Sequence, residues 1–235
     1  MRTRTLVRWL LAAALAVGLG SASRVAAAPI AVWNIGAATG AGATVSFAAT
    51  DVTATALIAM GVTPWTFGQD GFVAAAGWAP GLAADPTKYF EWSVTAGAGV
   101  SIAFDSIDLA LLRGIQGTAH GAQLWDLRVS TDGFATSALV QTLDISGSAA
   151  DTQVVFSIDL APLGAQTGTV TFRLFGYDYT SPADFSGLGN DSGWLIYGSG
   201  VDLGIEGTVV SLVPEPGTAA LLCGGLLLLA SSRRR

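Results

Sequence analysis

The chain has 235 residues, 51% of them hydrophobic and 12% charged, with 30 glycines, one cysteine and a net charge of −6. A single cysteine excludes a disulfide framework and a cysteine-built zinc site. The acidic balance opposes nucleic acid, so no nucleic-acid partner is expected.

At the N-terminus, Arg2, Arg4 and Arg8 lead into an apolar run from Trp9 to Gly20 and a small-residue stretch ending Ala26-Ala27-Ala28. A basic start, an apolar core and small residues before a cut are the layout of a secretory signal peptide. Residues 1–27 are therefore expected to form a signal helix, removed by signal peptidase during export by the secretion machinery. Cleavage after Ala27 places Val25 and Ala27 at the small-residue positions. Cleavage after Ala28 would set Pro29 beside the scissile bond and is less favourable.

Residues 28–212 read as one all-β domain. Phe90, Trp92 and Val94 alternate with Tyr89, Glu91 and Ser93. Trp125, Leu127 and Val129 alternate with Asp126, Arg128 and Ser130, and Val170, Phe172 and Leu174 alternate with Thr171 and Arg173. The same pattern recurs over residues 100–105, 154–159 and 194–205. Period two gives each strand one apolar and one wet face. Such strands pack as two antiparallel sheets, a β-sandwich or jelly roll. Asp132-Gly133, Gly164 and Gly189-Asn190 mark turns. Residues 37–63 are rich in Ala, Thr and Gly, and 51–60 fits either a short helix or an edge strand.

The charge of this domain is more extreme than that of the chain. Four basic residues, Lys88, Arg113, Arg128 and Arg173, stand against sixteen acidic ones, a balance of −12. Such a surface repels anionic polymers unless a divalent cation bridges them. Calcium candidates are Asp178, Asp184, Asn190 and Asp191, hard oxygen donors in one Gly/Ser/Pro-rich loop. They lack EF-hand spacing, and acidic turn formers are the simpler account, so no cofactor beyond Ca²⁺ is considered.

Catalytic sets are missing. His120 is the sole histidine, and Gly198-Ser199-Gly200 does not have the spacing of a nucleophile elbow. Glu91 with Glu206, or Asp105 with Asp108, would be the carboxylate pairs for glycoside hydrolysis. Both glutamates fall on wet strand faces, where solvated surface is the default, and no enzymatic activity is expected. For stacking on sugars, Trp92, Trp125 and Trp194 fall on core faces, which leaves Trp33, Trp65 and Trp78 as the exposed set.

Residues 213–235 have three parts in order. Pro214-Glu215-Pro216 is extended, because each proline fixes φ and Pro216 pushes Glu215 out of the α region. Ala219 to Ala230 is an apolar run of 12 residues, about 18 Å as a helix. Residues 213–232 reach the span only by thinning the bilayer or seating their ends among headgroups. Arg233, Arg234 and Arg235 act as a cytoplasmic stop. Cys223 sits inside the apolar run as a small filler. With cationic flanks at both ends, the middle of the chain is expected outside the inner membrane.

This tail resembles the PEP-CTERM sorting signal of exported bacterial proteins. The resemblance implies an exosortase partner that cuts near Pro214-Glu215-Pro216, and a source that makes extracellular polysaccharide. More loosely, three stretches of the middle resemble a recurrent jelly-roll-like PEP-CTERM ectodomain: Lys88 to Trp92, Trp125 to Phe134, and Thr169 to Tyr177. The expectation is a cell-surface or extracellular-matrix protein, membrane-anchored until processed, with a structural or adhesive ectodomain. A carbohydrate-binding module for extracellular polysaccharide is the alternative, and a glycoside hydrolase is the remaining one.

Overall fold

Alternating side chains and turn glycines commit residues 28–212 to strands. The computed structural model describes residues 27–40, 42–65, 72–112, 115–116, 119–148, 152–178, 193–196 and 202–212. Among them the strands of the first half are β1 (Ala28–Trp33), β2 (Thr39–Gly40), β3 (Gly42–Ala43), β4 (Val45–Ala48), β5 (Val52–Ala54), β6 (Leu57–Met60), β7 (Thr63–Trp65), β8 (Phe72–Ala76) and β9 (Tyr89–Ala96). The second half adds β10 (Val100–Leu112), β11 (Ile115–Gln116), β12 (Ala119–His120), β13 (Leu124–Ser130), β14 (Ala138–Asp144), β15 (Gln153–Asp159), β16 (Ala165–Gln166), β17 (Thr169–Tyr177), β18 (Gly193–Ile196) and β19 (Leu203–Ser211).

These strands make two large sheets. A ten-stranded sheet runs β2-β8-β18-β10-β19-β1-β4, with β7 on β8 and with β15 and β16 also on β10. A seven-stranded sheet runs β14-β13-β17-β9-β6-β3, with β5 also on β9. β11 and β12 pair with each other, and the β2–β8 contact is parallel. The other ladders are antiparallel, as expected for sheets with one wet face. Residues 51–60 are no helix: they supply β5 and β6, two short strands along β9.

The inner faces meet in an aromatic core. Trp33 of the larger sheet stands edge-on to Trp92 of the smaller, ring centroids 6.3 Å apart, and Phe104 stands edge-on to Phe172 at 6.0 Å. Trp78, in the loop after β8, lies 5.0 Å from both Phe90 and Trp125. Each such ring removes about 150–250 Å² from water, which makes these contacts the main tie between the sheets. Trp33 Nε1 donates to the Thr55 carbonyl at 2.7 Å and Trp78 Nε1 to the Ala75 carbonyl at 2.9 Å. The buried Trp92 and Trp125 Nε1 atoms have no hydrogen-bond partner among the described residues. Trp125 has room because β17 carries Gly176 beneath it, where a Cβ would lie 3.0 Å from the indole ring.

β10 shows how an imperfect alternation is accommodated. Ile102 and Phe104 point inward, and so do Ile107, Leu109 and Leu111, although the two sets differ in parity. A register shift between Phe104 and Ser106 leaves Asp105 as the extra residue and restores the inward set. Gly207, opposite Phe104, permits the close approach, since any side chain there would collide with the Ala103 carbonyl.

The expected signal helix and C-terminal membrane helix lie outside the described residues. Among the described residues, no helix is long and apolar enough to cross a membrane.

Candidate functional site

The outer face of the seven-stranded sheet concentrates the domain's unusual chemistry. Because directly paired residues share a face, the register gives one row across five strands: Leu139, Arg128, Arg173, Glu91 and Ile58. At about 4.8 Å per strand the row is about 19 Å wide. The neighbouring row contains Thr142, Asp126, Phe175, Tyr89 and Met60. On the opposite side of the first row the face becomes a field of hydroxyls, in which Thr95 Oγ1 lies 2.8 Å from Thr169 Oγ1 and Thr55 Oγ1 lies 3.1 Å from Ser93 Oγ.

Arg173 is the centre of this face. Its Nε donates to Glu91 Oε2 at 2.7 Å. Its guanidinium carbon lies 3.9 Å from the ring centroids of both Tyr89 and Phe134. Tyr89 in turn packs against Phe175, with centroids 5.5 Å apart. Phe134 belongs not to a strand but to the turn between β13 and β14, and adopts a left-handed φ of 66°. That conformation is costly for a bulky residue and persists only where the surroundings impose it. Here the Phe134 N–H donates to Ser130 Oγ at 2.9 Å, and Asp132 accepts from the Thr136 N–H and hydroxyl at 3.0 and 2.6 Å. These bonds, led by that from the Thr136 side chain, pull the Asp132 carboxyl down to about 2. The turn predicted at Asp132-Gly133 is present, with Gly133 at φ 71°, and it delivers an aromatic ring to the sheet.

A second network anchors the same face. Asp126, 6% exposed, accepts from the Tyr177 hydroxyl at 3.0 Å and the Thr142 hydroxyl at 2.7 Å on Oδ1, and from Arg128 Nη2 at 3.2 Å on Oδ2. Burial, then the bond to Asp126, raises the Tyr177 phenol above its ordinary value, so it donates throughout the neutral range. Around these polar groups Ile58, Met60 and Leu139 are 43%, 41% and 50% exposed. A polar, charge-paired centre with an apolar and aromatic border has the composition of a ligand platform.

The other outer face is different. Asp108, Asp202 and Glu206 line a hollow of about 230 Å³ with Pro29, Val32 and Gly204. Among the described residues the ten-stranded sheet contains no basic residue. A further opening of about 330 Å³ lies beside the β13–β14 turn, between Val129, Thr136, Leu163, Gln166 and Val170.

Several sequence expectations are corrected. Trp33 and Trp78 are 0% and 1% exposed, so they are core residues and no stacking platform. The Trp65 side chain lies outside the described residues. Trp92 and Trp125 are in the core as expected. Glu91 and Glu206 belong to different sheets and to opposite outer faces, with the sandwich between them. Sheets pack about 10 Å apart, so the two carboxyls are beyond the span that glycoside hydrolysis requires. Asp105 sits at the β10 bulge and Asp108 in the acidic hollow. Of the calcium candidates, Asp178 is described: it follows β17 at φ 58°, and its carbonyl accepts from Gln123 Nε2 at 2.9 Å. Asp184, Asn190 and Asp191 lie outside the described residues, as does the side chain of His120. Among the described residues no three His, Cys, Asp or Glu side chains are grouped to hold a metal ion. Pro214, Glu215, Pro216, Arg233, Arg234 and Arg235 also lie outside the described residues.

No family model matches this chain, and no curated protein matches it. Solved structures of family 29 carbohydrate binding modules are similar to it. A variant of one, CBM29-2, complexed with mannohexaose, is 14% identical at a TM-score of 0.37, over 80% of this chain and 94% of its own. Another family 29 module is 13% identical at a TM-score of 0.37, over 83% and 98%. A likeness that distant assigns no function.

Proposed function

We propose that this is an exported cell-surface protein whose ectodomain holds a polysaccharide on the outer face of its seven-stranded sheet. One observation carries the reading: the Arg173–Glu91 ion pair, held between the rings of Tyr89 and Phe134. Rings offer flat apolar surface to sugar C–H groups, while the ion pair supplies fixed donors and acceptors for hydroxyls. A row five strands wide suits an oligosaccharide better than a single sugar. Adhesion to the cell's own matrix follows from such binding and needs no separate site.

Export completes the proposal. A cut after Ala27 leaves all six residues of β1 in the mature chain. Residues 213–235 begin one residue beyond Leu212, which follows the end of β19. The tail would serve as a PEP-CTERM signal, processed by an exosortase at Pro214-Glu215-Pro216 while Arg233, Arg234 and Arg235 remain on the cytoplasmic side of the inner membrane.

Affinity electrophoresis of the full chain through gels containing different polysaccharides tests the binding. Retardation is expected in at least one gel, weakened about tenfold by Tyr89→Ala. Free migration of the wild-type protein in every gel refutes the reading. Deleting residues 213–235 tests the sorting: the protein should appear unprocessed in the medium, and unchanged surface retention would count against it.

A further inference from the structure

We infer that the polysaccharide held on this face is acidic, and that Arg128 and Arg173 take its carboxylates. The inference rests on the platform reading and adds the ligand's charge. Its starting point is the scarcity of cations. The ectodomain has four basic residues against sixteen acidic ones, yet two of the four are directly opposed across β13 and β17. Like charges set opposite each other on neighbouring strands repel, their Cβ atoms about 5 Å apart. Stability alone does not select that pairing in a protein with so few cations to place.

The remaining geometry prepares the pair for an anion. The bonds to Asp126 and Glu91 engage one N–H of each guanidinium, of the five that an arginine carries. Tyr89 and Phe134 cover the two faces of the Arg173 guanidinium, so its edge is what a ligand can reach. A guanidinium edge fixed in advance matches the two oxygens of a carboxylate and loses little freedom on binding. Of the neighbouring carboxylates, Asp126 is buried and bonded to Tyr177, Thr142 and Arg128. Glu91 is partly exposed, its side chain 27% accessible, and is the group an incoming carboxylate has to displace or share. The acidic outer face of the larger sheet repels the same polymer, which orients the protein on it. Among the described residues this arginine pair is where two cations of a body of charge −12 meet, and the cations a uronate needs there come from the protein rather than from calcium.

Titration calorimetry of the full chain tests this with alginate, with the same alginate after reduction of its carboxyl groups, with mannan and with dextran sulfate. Alginate should bind at least about tenfold more tightly than its reduced form, the discrimination expected of charge-assisted bonds. Arg128→Gln should narrow that preference, and Glu91→Gln, which removes the competing charge, should widen it. Equal or tighter binding of reduced alginate overturns the inference but leaves the platform reading intact, as would binding of mannan alone. Dextran sulfate bound as tightly as alginate would mark a general polyanion surface and overturn the carboxylate assignment. A preference unchanged in both variants removes the arginine pair from the account. If Arg128→Gln does not fold, the Glu91→Gln result decides. Binding to none of the four polymers overturns inference and platform together.

Discussion

The two outer faces of this sandwich grow from the same kind of strand and end up chemically opposed. On the ten-stranded sheet three acidic side chains gather around a shallow hollow, with Asp202 accepting from the Ile35 N–H at 3.0 Å. On the seven-stranded sheet the corresponding positions carry paired charges, aromatic rings and half-exposed aliphatics, braced by a turn that folds Phe134 over the strands. Solubility explains the first face, since scattered like charges keep a protein dispersed. It does not explain the second, where a buried carboxylate is held by three donors and a phenylalanine is kept at positive φ.

The contrast is broken first at Asp126. Asp126→Leu strands the Tyr177 and Thr142 hydroxyls and should cost about 3 kcal/mol, the usual scale for donors left without an acceptor. For a chain of this size that lowers Tm by about 6–12 °C. Asp108→Leu on the other face should stay within about 0.5 kcal/mol. Equal losses in a thermal melt would erase the distinction. Next, Arg173→Met removes an ion pair and two cation–π contacts, a loss of about 1–2 kcal/mol. Glu206→Met is expected to leave Tm nearly unchanged, and chemical denaturation of both variants measures the difference.

Phe134→Gly sharpens the comparison in another way. It gives up a cation–π contact of about 1 kcal/mol but relieves backbone strain of about the same size. Stability should move by less than about 0.5 kcal/mol while polysaccharide retardation weakens. A large loss of stability would make Phe134 a structural staple instead.

The smallest effects lie at the extremes of pH. Asp132 is depressed to about 2, below the ordinary carboxyl range near 3.9. Its contribution to stability is therefore present above about pH 4 and is lost as the pH falls towards 2. Asp132→Asn should flatten Tm against pH in that window. Tyr177 is raised by burial and by its bond to Asp126, so its contribution is present below about pH 10 and is lost as the pH rises through the raised value. Tyr177→Phe should remove the alkaline loss. Profiles that keep their slopes in these variants would place the titrations elsewhere.

The inner faces were legible from residues close in the chain. Phe90, Trp92 and Val94, or Val170, Phe172 and Leu174, announce their buried side by alternation alone, and all six are buried. Trp33 and Trp78 misled, because what buries them is not their own strand's pattern. Trp33 is covered by Trp92 and bonds to Thr55, and Trp78, outside any strand, is wedged against Phe90 and Trp125. The platform is half legible: alternation puts Glu91, Arg128 and Arg173 on wet faces, and Asp132-Gly133 spells a turn. Nothing in the spacing of residues 91, 128 and 173 says that they share one row.

The sequence by itself determined the strands, their inward sides and the acidic balance, since each depends on period-two alternation or on counting. Tertiary structure decided which wet faces adjoin, where the few cations gather and what Phe134 covers. Those outcomes depend on register between strands distant in the chain, 82 residues apart for the Glu91–Arg173 pair. Hydrogen-bonded pairing of backbones fixes that register, and local pattern carries no record of it.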